Sequence, residues 1–596
     1  MRVCGIAPTW SHRLTVLLVL IVAIALTGCN PEHFKTNAAQ VPGFIVTTLE
    51  DPKTFNYAIS QEQSPVFGYI YEGLVGENGV TGAIEPALAE SWEISQDNKR
   101  IFFTLREGLK WSDGQPLTVD DVVFTYNNIY FNEAIPSGTR DVFQIGKNQV
   151  LPKVRKLDER RVEFTLPEPF APFLRQAGSP ILPAHMLREA VETKDSQGRP
   201  KFLSTWGTDT PPTQIIGNGP YRLESYATNQ RIVLRRNPFY WRKDAQGKPQ
   251  PYIERVIVQI VTSTDTSLLQ FRSGSLDDLG VQPDYFSLLK SEEKRGNFTI
   301  YNGGPAGGDW NFISFNLNKG HRPDGTSLVD PIKSRWFNTL AFRKAIAYAL
   351  DRQTMLDNTF RGLGVLQNSS IIPPSPYALT PAEGLKVYNY DLEQAKKLLL
   401  GAGFKYNDKG QLLDADDNPV RFTLITNAGN KIREAIGVQI KQDLSKIGIQ
   451  VDFSPIAFNI LVDKLSVSLD WECYLLGFIG SAIEPNDGAN VWNPDGDLHT
   501  FNQKPRSGEP PIIGREVADW EKEINSLYIQ GAKELDDAKR KAIYARVQNL
   551  EQEYLPYVNL VIPLALEAVR DRFTGIKFSS FAGAFWNIYQ IKEVEK

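Results

Sequence analysis

Residues 85–128, EPALAESWEISQDNKRIFFTLREGLKWSDGQPLTVDDVVFTYNN, constrain the fold more than any other stretch of the chain. Ile101, Phe103 and Leu105 alternate with Phe102, Thr104 and Arg106, a period of two that predicts a strand. Trp111 follows, then Ser112-Asp113-Gly114-Gln115-Pro116. In such a run glycine permits positive φ, aspartate bonds its own backbone and proline fixes φ, so the chain turns there. Thr118 can cap a helix, with Asp120 and Asp121 in the first turn, where acids suit the helix dipole. Val122, Val123 and Tyr126 supply its apolar face. The segment therefore reads as strand, tight turn and capped helix.

Its residues also carry a resemblance. Ala89, Trp92, Phe103, Leu105, Arg106, Trp111, Ser112, Asp113, Gly114, Pro116, Leu117, Thr118, Asp120, Asp121, Val122 and Tyr126 match, without a gap, the signature of the family 5 solute-binding proteins of ABC importers. That is the dipeptide-, oligopeptide- and nickel-binding group. The resemblance implies an α/β periplasmic-binding-protein fold of the large three-lobe type, with mixed sheets and two lobes closing on a central cleft.

The N-terminus is basic (Arg2, His12, Arg13) and leads into a 13-residue run, Leu14 to Leu26, apolar but for Thr15. That run is too short to span a bilayer and suits the core of a signal peptide. Leu26-Thr27-Gly28-Cys29 resembles a bacterial lipobox, which implies cleavage before Cys29 and lipidation of its sulfur. The expected product is exported, periplasmic or at the cell surface, and held at the membrane through Cys29. Of three cysteines, Cys4 would leave with the signal and Cys29 would carry lipid, so Cys473 stands alone and no disulfide is expected. Residues 30–42 read as a tether, and no later segment is long and apolar enough to cross a membrane.

Net charge is −4, with no basic footprint for nucleic acid. Aromatic content of 11% fits either a large core or a cleft lined by aromatic faces. No P-loop, HExxH, CxxC or GxSxG occurs, and His33, His185, His321 and His499 are widely spaced. Neither a catalytic triad nor a metal site is marked, no cofactor is implied, and His185 reads as structural.

Further along, Ser64 to Leu74 reads as a helix with an aromatic stripe. Gly217-Asn218-Gly219-Pro220-Tyr221 and Asn237-Pro238-Phe239-Tyr240-Trp241 resemble further family motifs, the first at a tight crossing between lobes. Residues 302–311, NGGPAGGDWN, read as the most flexible stretch of the body. Asp391 caps a helix running toward Phe404. Phe422 to Thr426, Lys431 to Lys446 and Ile449 to Phe453 read as strand, helix and strand, which implies a parallel unit.

By analogy with the family, residues 1–28 are the lipoprotein signal and 29–66 the tether and start of lobe I. Lobe II takes 67–214, lobe I continues over 215–330, lobe III takes 331–562, and the chain returns to lobe I over 563–596. In the peptide binders an aspartate at a strand exit pairs with the peptide's α-ammonium. Anchored on Gly477 and Pro485, Ser481 falls at that position, and a hydroxyl cannot neutralise a buried ammonium. Glu484 or Asp487 is then the substitute, or the ligand lacks a free α-amine. Chain position under the resemblance, with residue type, makes Phe55, Asn56, Trp310, Asn311, Trp471, Phe478, Ile479, Gly480, Ser481, Glu484, Asp487 and Trp586 the expected ligand contacts. The implied function is capture of peptides by hinge closure and delivery to an ABC permease, by a monomer that is not an enzyme. A binder of oligosaccharide or another non-peptide solute stays open, as does a peptide-sensing or hydrolytic protein without a transport role. A nickel-chelate binder is disfavoured by the scattered histidines.

Overall fold

The signature segment folds as its residues dictate. The computed structural model describes residues 43–49, 51–60, 64, 66–307, 309–373, 375–479, 483–506 and 508–594. The signal peptide, Cys29, Gly480 and Ser481 lie outside them. Arg100–Leu105 is a strand that buries Ile101, Phe103 and Leu105 and exposes Arg100. It sits inside a four-stranded antiparallel sheet with Ala89–Ile94, Arg161–Thr165 and Lys153–Lys156. Gly114 takes φ +90° in the turn. Thr118 then caps the helix Val119–Phe124 in a capping box with Asp121. Trp111 is wholly buried, and His185 Nε2 meets Asp113 Oδ2 at 2.8 Å, tying the turn to the helix Ala184–Glu192.

Two more sheets carry this half of the molecule. Gly43–Thr48, Arg255–Ile260, Arg231–Arg236 and Tyr221–Ala227 form one, in that order. Asp278–Gly280, Val561–Arg570 and Phe298–Pro305 form the other, with Gly364–Leu366 on the early part of Val561–Arg570. The remaining large sheet has five strands in the order Gln450–Ile456, Arg421–Asn427, Cys473–Ile479, Asp309–Phe315, Tyr557–Asn559. Arg421–Asn427 and Gln450–Ile456 are parallel and joined by the helix Lys431–Ser445, the predicted unit. Among the described residues there are three apolar cores. The largest runs from Phe44 to Val258 and takes in Phe573 to Ile591. The second spans Trp310 to Val561, and a small third holds Phe271, Phe298 and Leu566.

Consecutive strands lead directly from the third sheet to the five-stranded sheet, or back, at two places. Phe298–Pro305 leads into Asp309–Phe315, and Tyr557–Asn559 leads into Val561–Arg570. The strands pair on both sides of the crossing, so the two passages run side by side. Asp309–Phe315, which the expected boundary at 330 groups with lobe I, pairs along its whole length with Cys473–Ile479.

Two local expectations are corrected. The glycine-rich stretch 302–311 is largely the facing ends of two strands rather than a loop, because each end finds a partner strand far away in sequence. The helix expected over 64–74 is only Phe67–Ile70. Tyr71 is already extended, and Gly73 packs so closely on the Gly178 backbone that a β-carbon would not fit.

Candidate functional site

Arg421–Asn427, Gln450–Ile456 and Cys473–Ile479 all run the same way, so their carboxyl ends open on one edge of the five-stranded sheet. Crevices outside such ends are where open α/β sheets take ligands. At this edge the helix Lys431–Ser445 begins, capped by Asn430, whose side chain accepts from Arg433 N at 3.1 Å. Arg433 Nη1 donates to Asn427 Oδ1 at 2.9 Å. A β-carbon at Gly477 would lie 2.8 Å from Arg433 Nη2 and 3.1 Å from Asn311 Oδ1. The bare glycine in the exit strand Cys473–Ile479 is what lets a guanidinium and an amide oxygen converge there. The register Asn311↔Gly477, Trp310↔Phe478, Asp309↔Ile479 holds the neighbouring strand in place.

The other half of the molecule faces this edge. Gly429 abuts the Thr262 carbonyl, 2.5 Å from where a β-carbon would stand, and Lys53 Nζ donates to Asn459 O at 3.1 Å. The hairpin of Val75–Glu77 and Ile84–Pro86 reaches over from the first core. Its Gly82 packs on the Ile483 side chain and its Gly79 on the Trp586 indole, neither leaving room for a β-carbon. Arg175 Nη2 holds the tip through Gly82 O at 3.0 Å.

The predicted residues are distributed unevenly about this edge. Asn311 is at it. Phe478 is half-buried, its ring edge-on to Trp310 at 5.7 Å between centroids. Ile479 is the last residue of the exit strand. Trp586 is half-buried against the hairpin, its Nε1 donating to Lys577 O at 2.7 Å. Trp310 lies inside the second core, its Nε1 2.5 Å from Asn559 Oδ1. Phe55 and Asn56 belong to the first core: Phe55 lies edge-on to Tyr226, and Asn56 donates to the carbonyls of Phe202 and Thr205 at 3.2 Å each. Trp471 is 4% exposed in the second core. It precedes the exit strand, so at ~3.3 Å per residue it stands ~25 Å from Ile479.

Both acids offered as substitutes for the missing aspartate have protein partners. Glu484 accepts from Arg540 Nη2 at 2.8 Å and from Asn486 N at 3.0 Å. Asp487 Oδ1 accepts from Gln176 Nε2 at 2.5 Å.

Arg433 and Asn427 were not foreseen from the sequence. Their signal is a strand ending in a polar residue, then an asparagine cap and an arginine at the third helical position. Among the described residues no group of three or more His, Cys, Asp or Glu is placed to hold a metal ion. Among them, too, no helix is long and apolar enough to cross a membrane. Cys473 is buried and unpaired.

Comparison with known proteins agrees with this architecture. A probable ABC transporter-binding protein of Deinococcus radiodurans is 30% identical over 588 residues, covering 94% of this chain and 95% of the relative. The oligopeptide-binding protein AppA of Bacillus subtilis, solved with a nonapeptide, superposes with a TM-score of 0.77 at 22% identity, over 93% of this chain and all of that one. The periplasmic binding protein MelB of Agrobacterium fabrum, solved with stachyose, gives a TM-score of 0.79 at 20% identity, over 93% of this chain and 85% of that one. These likenesses establish a periplasmic-binding-protein fold. The model for the bacterial extracellular solute-binding proteins, family 5, matches residues 83–498. With most of its length inside that match, the chain belongs to the bacterial extracellular solute-binding proteins of family 5.

Proposed function

We propose that the chain captures a carboxylate-bearing solute, most simply a peptide, at the edge where Asn311, Asn427, Arg433 and Gly477 converge, and delivers it to an ABC permease without transforming it. That convergence carries the reading. A guanidinium fixed by a strand-end amide, beside the N-terminus of a 15-residue helix, is a preorganised place for an anionic group. The exit strand offers main-chain groups for an extended ligand. The side-by-side strand crossings are the hinge: rotation about them swings the five-stranded sheet against the other half and closes the edge. In lobe terms, lobe II and lobe I, including the return after 563, move as one body against lobe III. Cys29 would anchor a monomeric protein outside the cytoplasm.

A second reading, a solute lacking an α-ammonium, is favoured by the commitment of Glu484 to Arg540 and of Asp487 to Gln176. Under it an oligosaccharide would rest on the half-buried rings of Phe478 and Trp586. Mass spectrometry of the molecule released on denaturing gently purified protein separates the two. A ladder of short peptides supports the first reading, whereas a sugar or an amine-blocked compound supports the second.

Arg433→Met supplies the test of the site itself. Loss of one charge-assisted bond is worth ~1.5–3 kcal/mol, so affinity for a carboxylate ligand should fall ~10- to 100-fold. Arg433 is half-buried on a helix's first turn, so thermal stability should hardly move. Unchanged affinity would take Arg433 out of the site.

A further inference from the structure

Apart from the excursion that lays Gly364–Leu366 on Val561–Arg570, the two halves of the molecule are joined covalently at the two strand crossings. Away from that hinge they meet through non-covalent contacts alone. Ala171 N donates to Ala532 O at 2.7 Å, Lys533 Nζ meets Glu168 Oε2 at 2.6 Å, and Gln176 bonds Asp487. At the same interface Asp141, on the short helix Gly138–Val142, accepts through Oδ2 from the backbone N–H of Asp497 at 3.0 Å. Beside this bond lies a cavity of about 30 Å³ lined by Asp141, Gln144, Asn486, Asn493, Asn525 and Tyr528. It has room for water, and therefore for exchange of a proton.

We propose that Asp141 makes closure of the two halves proton-dependent: the interface closes on a protonated Asp141 and is weakened when that carboxyl ionises. The proposal rests on the hinge motion proposed above. The physical reason is placement. Closing half-buries a carboxyl group near a second one, Asp497, whose backbone N–H donates to it. Burial first, and the Asp497 charge second, push the Asp141 pKa up to about 7, against the pull of the Asp497 N–H, Lys504 and Arg140. The surrounding groups do not cancel this. On its own side Arg140 pairs with Glu133 at 3.3 Å, and the Tyr57 phenol bonds Thr139. On the opposite side Arg506 faces Asp497, Asp463 and Glu509, Arg515 lies 4.0 Å from Asp495, Asp487 bonds Gln176, and Tyr528 is a neutral phenol held well above its usual pKa by burial.

With the halves apart, Asp141 loses the burial and the Asp497 charge that raise its pKa, so it titrates lower, toward the ordinary carboxylate range. A carboxyl whose pKa is higher in the closed state takes up a proton on closing. Closure is therefore least opposed at acid pH, and opposition grows as pH rises toward about 7 and is complete above it. Between those limits the closing constant falls by up to about tenfold per pH unit.

The test is small-angle X-ray scattering of the full chain from pH 8 to pH 5, with wild type, Asp141→Asn and Asp497→Asn. Wild type should become more compact as pH falls. Asp141→Asn, uncharged at every pH, should be compact throughout. Asp497→Asn keeps the backbone donor but loses the second charge, so its transition should move to lower pH. A wild type whose dimensions do not change with pH overturns the proposal, as does an Asp141→Asn protein with the wild-type pH response. If Asp141→Asn fails to fold, an unmoved transition in Asp497→Asn overturns it equally. A wild type that contracts when its co-purifying solute is added back, yet ignores pH, rejects the proton dependence and leaves capture by closure standing.

Discussion

Glu484→Ala is expected to cost about 3–5 kcal/mol of stability, because it strands a buried arginine. The side chains of Arg540 and Glu484 are 6% and 8% exposed. Arg540 spends its other donors on Gly531 O at 2.8 Å and the Tyr377 hydroxyl at 2.7 Å, both neutral. Glu484 is thus its only anionic acceptor among the described residues. Burial works against the guanidinium's charge, and Glu484 more than offsets it, holding the Arg540 pKa above its ordinary value. The same carboxylate caps the turn Pro485–Gly488 through Asn486 N, so truncation also opens that turn. Chemical denaturation of the full chain should therefore show a large fall in midpoint. The double variant Glu484→Ala with Arg540→Met should recover most of the loss, since a buried pair replaced by apolar groups is often close to neutral. A single variant as stable as wild type would mean that Arg540 has another counter-charge. The result also bears on ligand chemistry: an acid bound this way in the fold is costly to redirect to a ligand's ammonium.

How much of this could be read beforehand follows the range of each interaction. The strand at Arg100–Leu105, the capping box at Thr118, the Asp391 cap and the parallel unit over 421–456 depend on residues a few positions apart, or on one helix between two strands. All were legible. Residues 302–311 were not, because glycine is a poor strand former alone and the pairing that decides the matter is with Leu564–Leu566 and Gly477–Ile479. Of the candidate edge, the residues that chain position alone brings to it, such as Asn311 and Phe478, could be named beforehand. Arg433 owes its place to the missing side chain of Gly477, 44 residues on, and no local pattern announces that. Asn56 shows the converse. It is a polar residue near a turn, the type that marks a site, but its amide is consumed by Phe202 O and Thr205 O inside the first core.

Trp471→Ala is expected to destabilise the protein by about 3–5 kcal/mol, the range for removing a buried aromatic side chain. A ligand contact at Trp471 would instead weaken binding and leave the melting temperature unchanged; its burial in the second core argues for stability. The indole packs edge-on to Tyr474 at 4.9 Å between centroids, at an interplanar angle of 76°, within the second core. It stands at the far end of the exit strand from the candidate site. Its carbonyl accepts from Asn316 Nδ2 at 3.2 Å, a backbone bond that substitution leaves available, so the loss is one of packing. The indole N–H has no hydrogen-bond partner among the described residues, so nothing polar is lost in Trp471→Phe. That variant should therefore lose less, from the smaller cavity alone. Thermal denaturation and ligand affinity measured on the same samples decide the matter, with Arg433→Met as the reference. Trp471→Ala should lower the melting temperature and leave the affinity of the folded fraction near wild type, whereas Arg433→Met should do the reverse. A Trp471→Ala protein that melts like wild type but binds weakly would return the indole to the ligand. That would require the cleft to reach the opposite end of the five-stranded sheet, well beyond the edge where Arg433 and Gly477 meet.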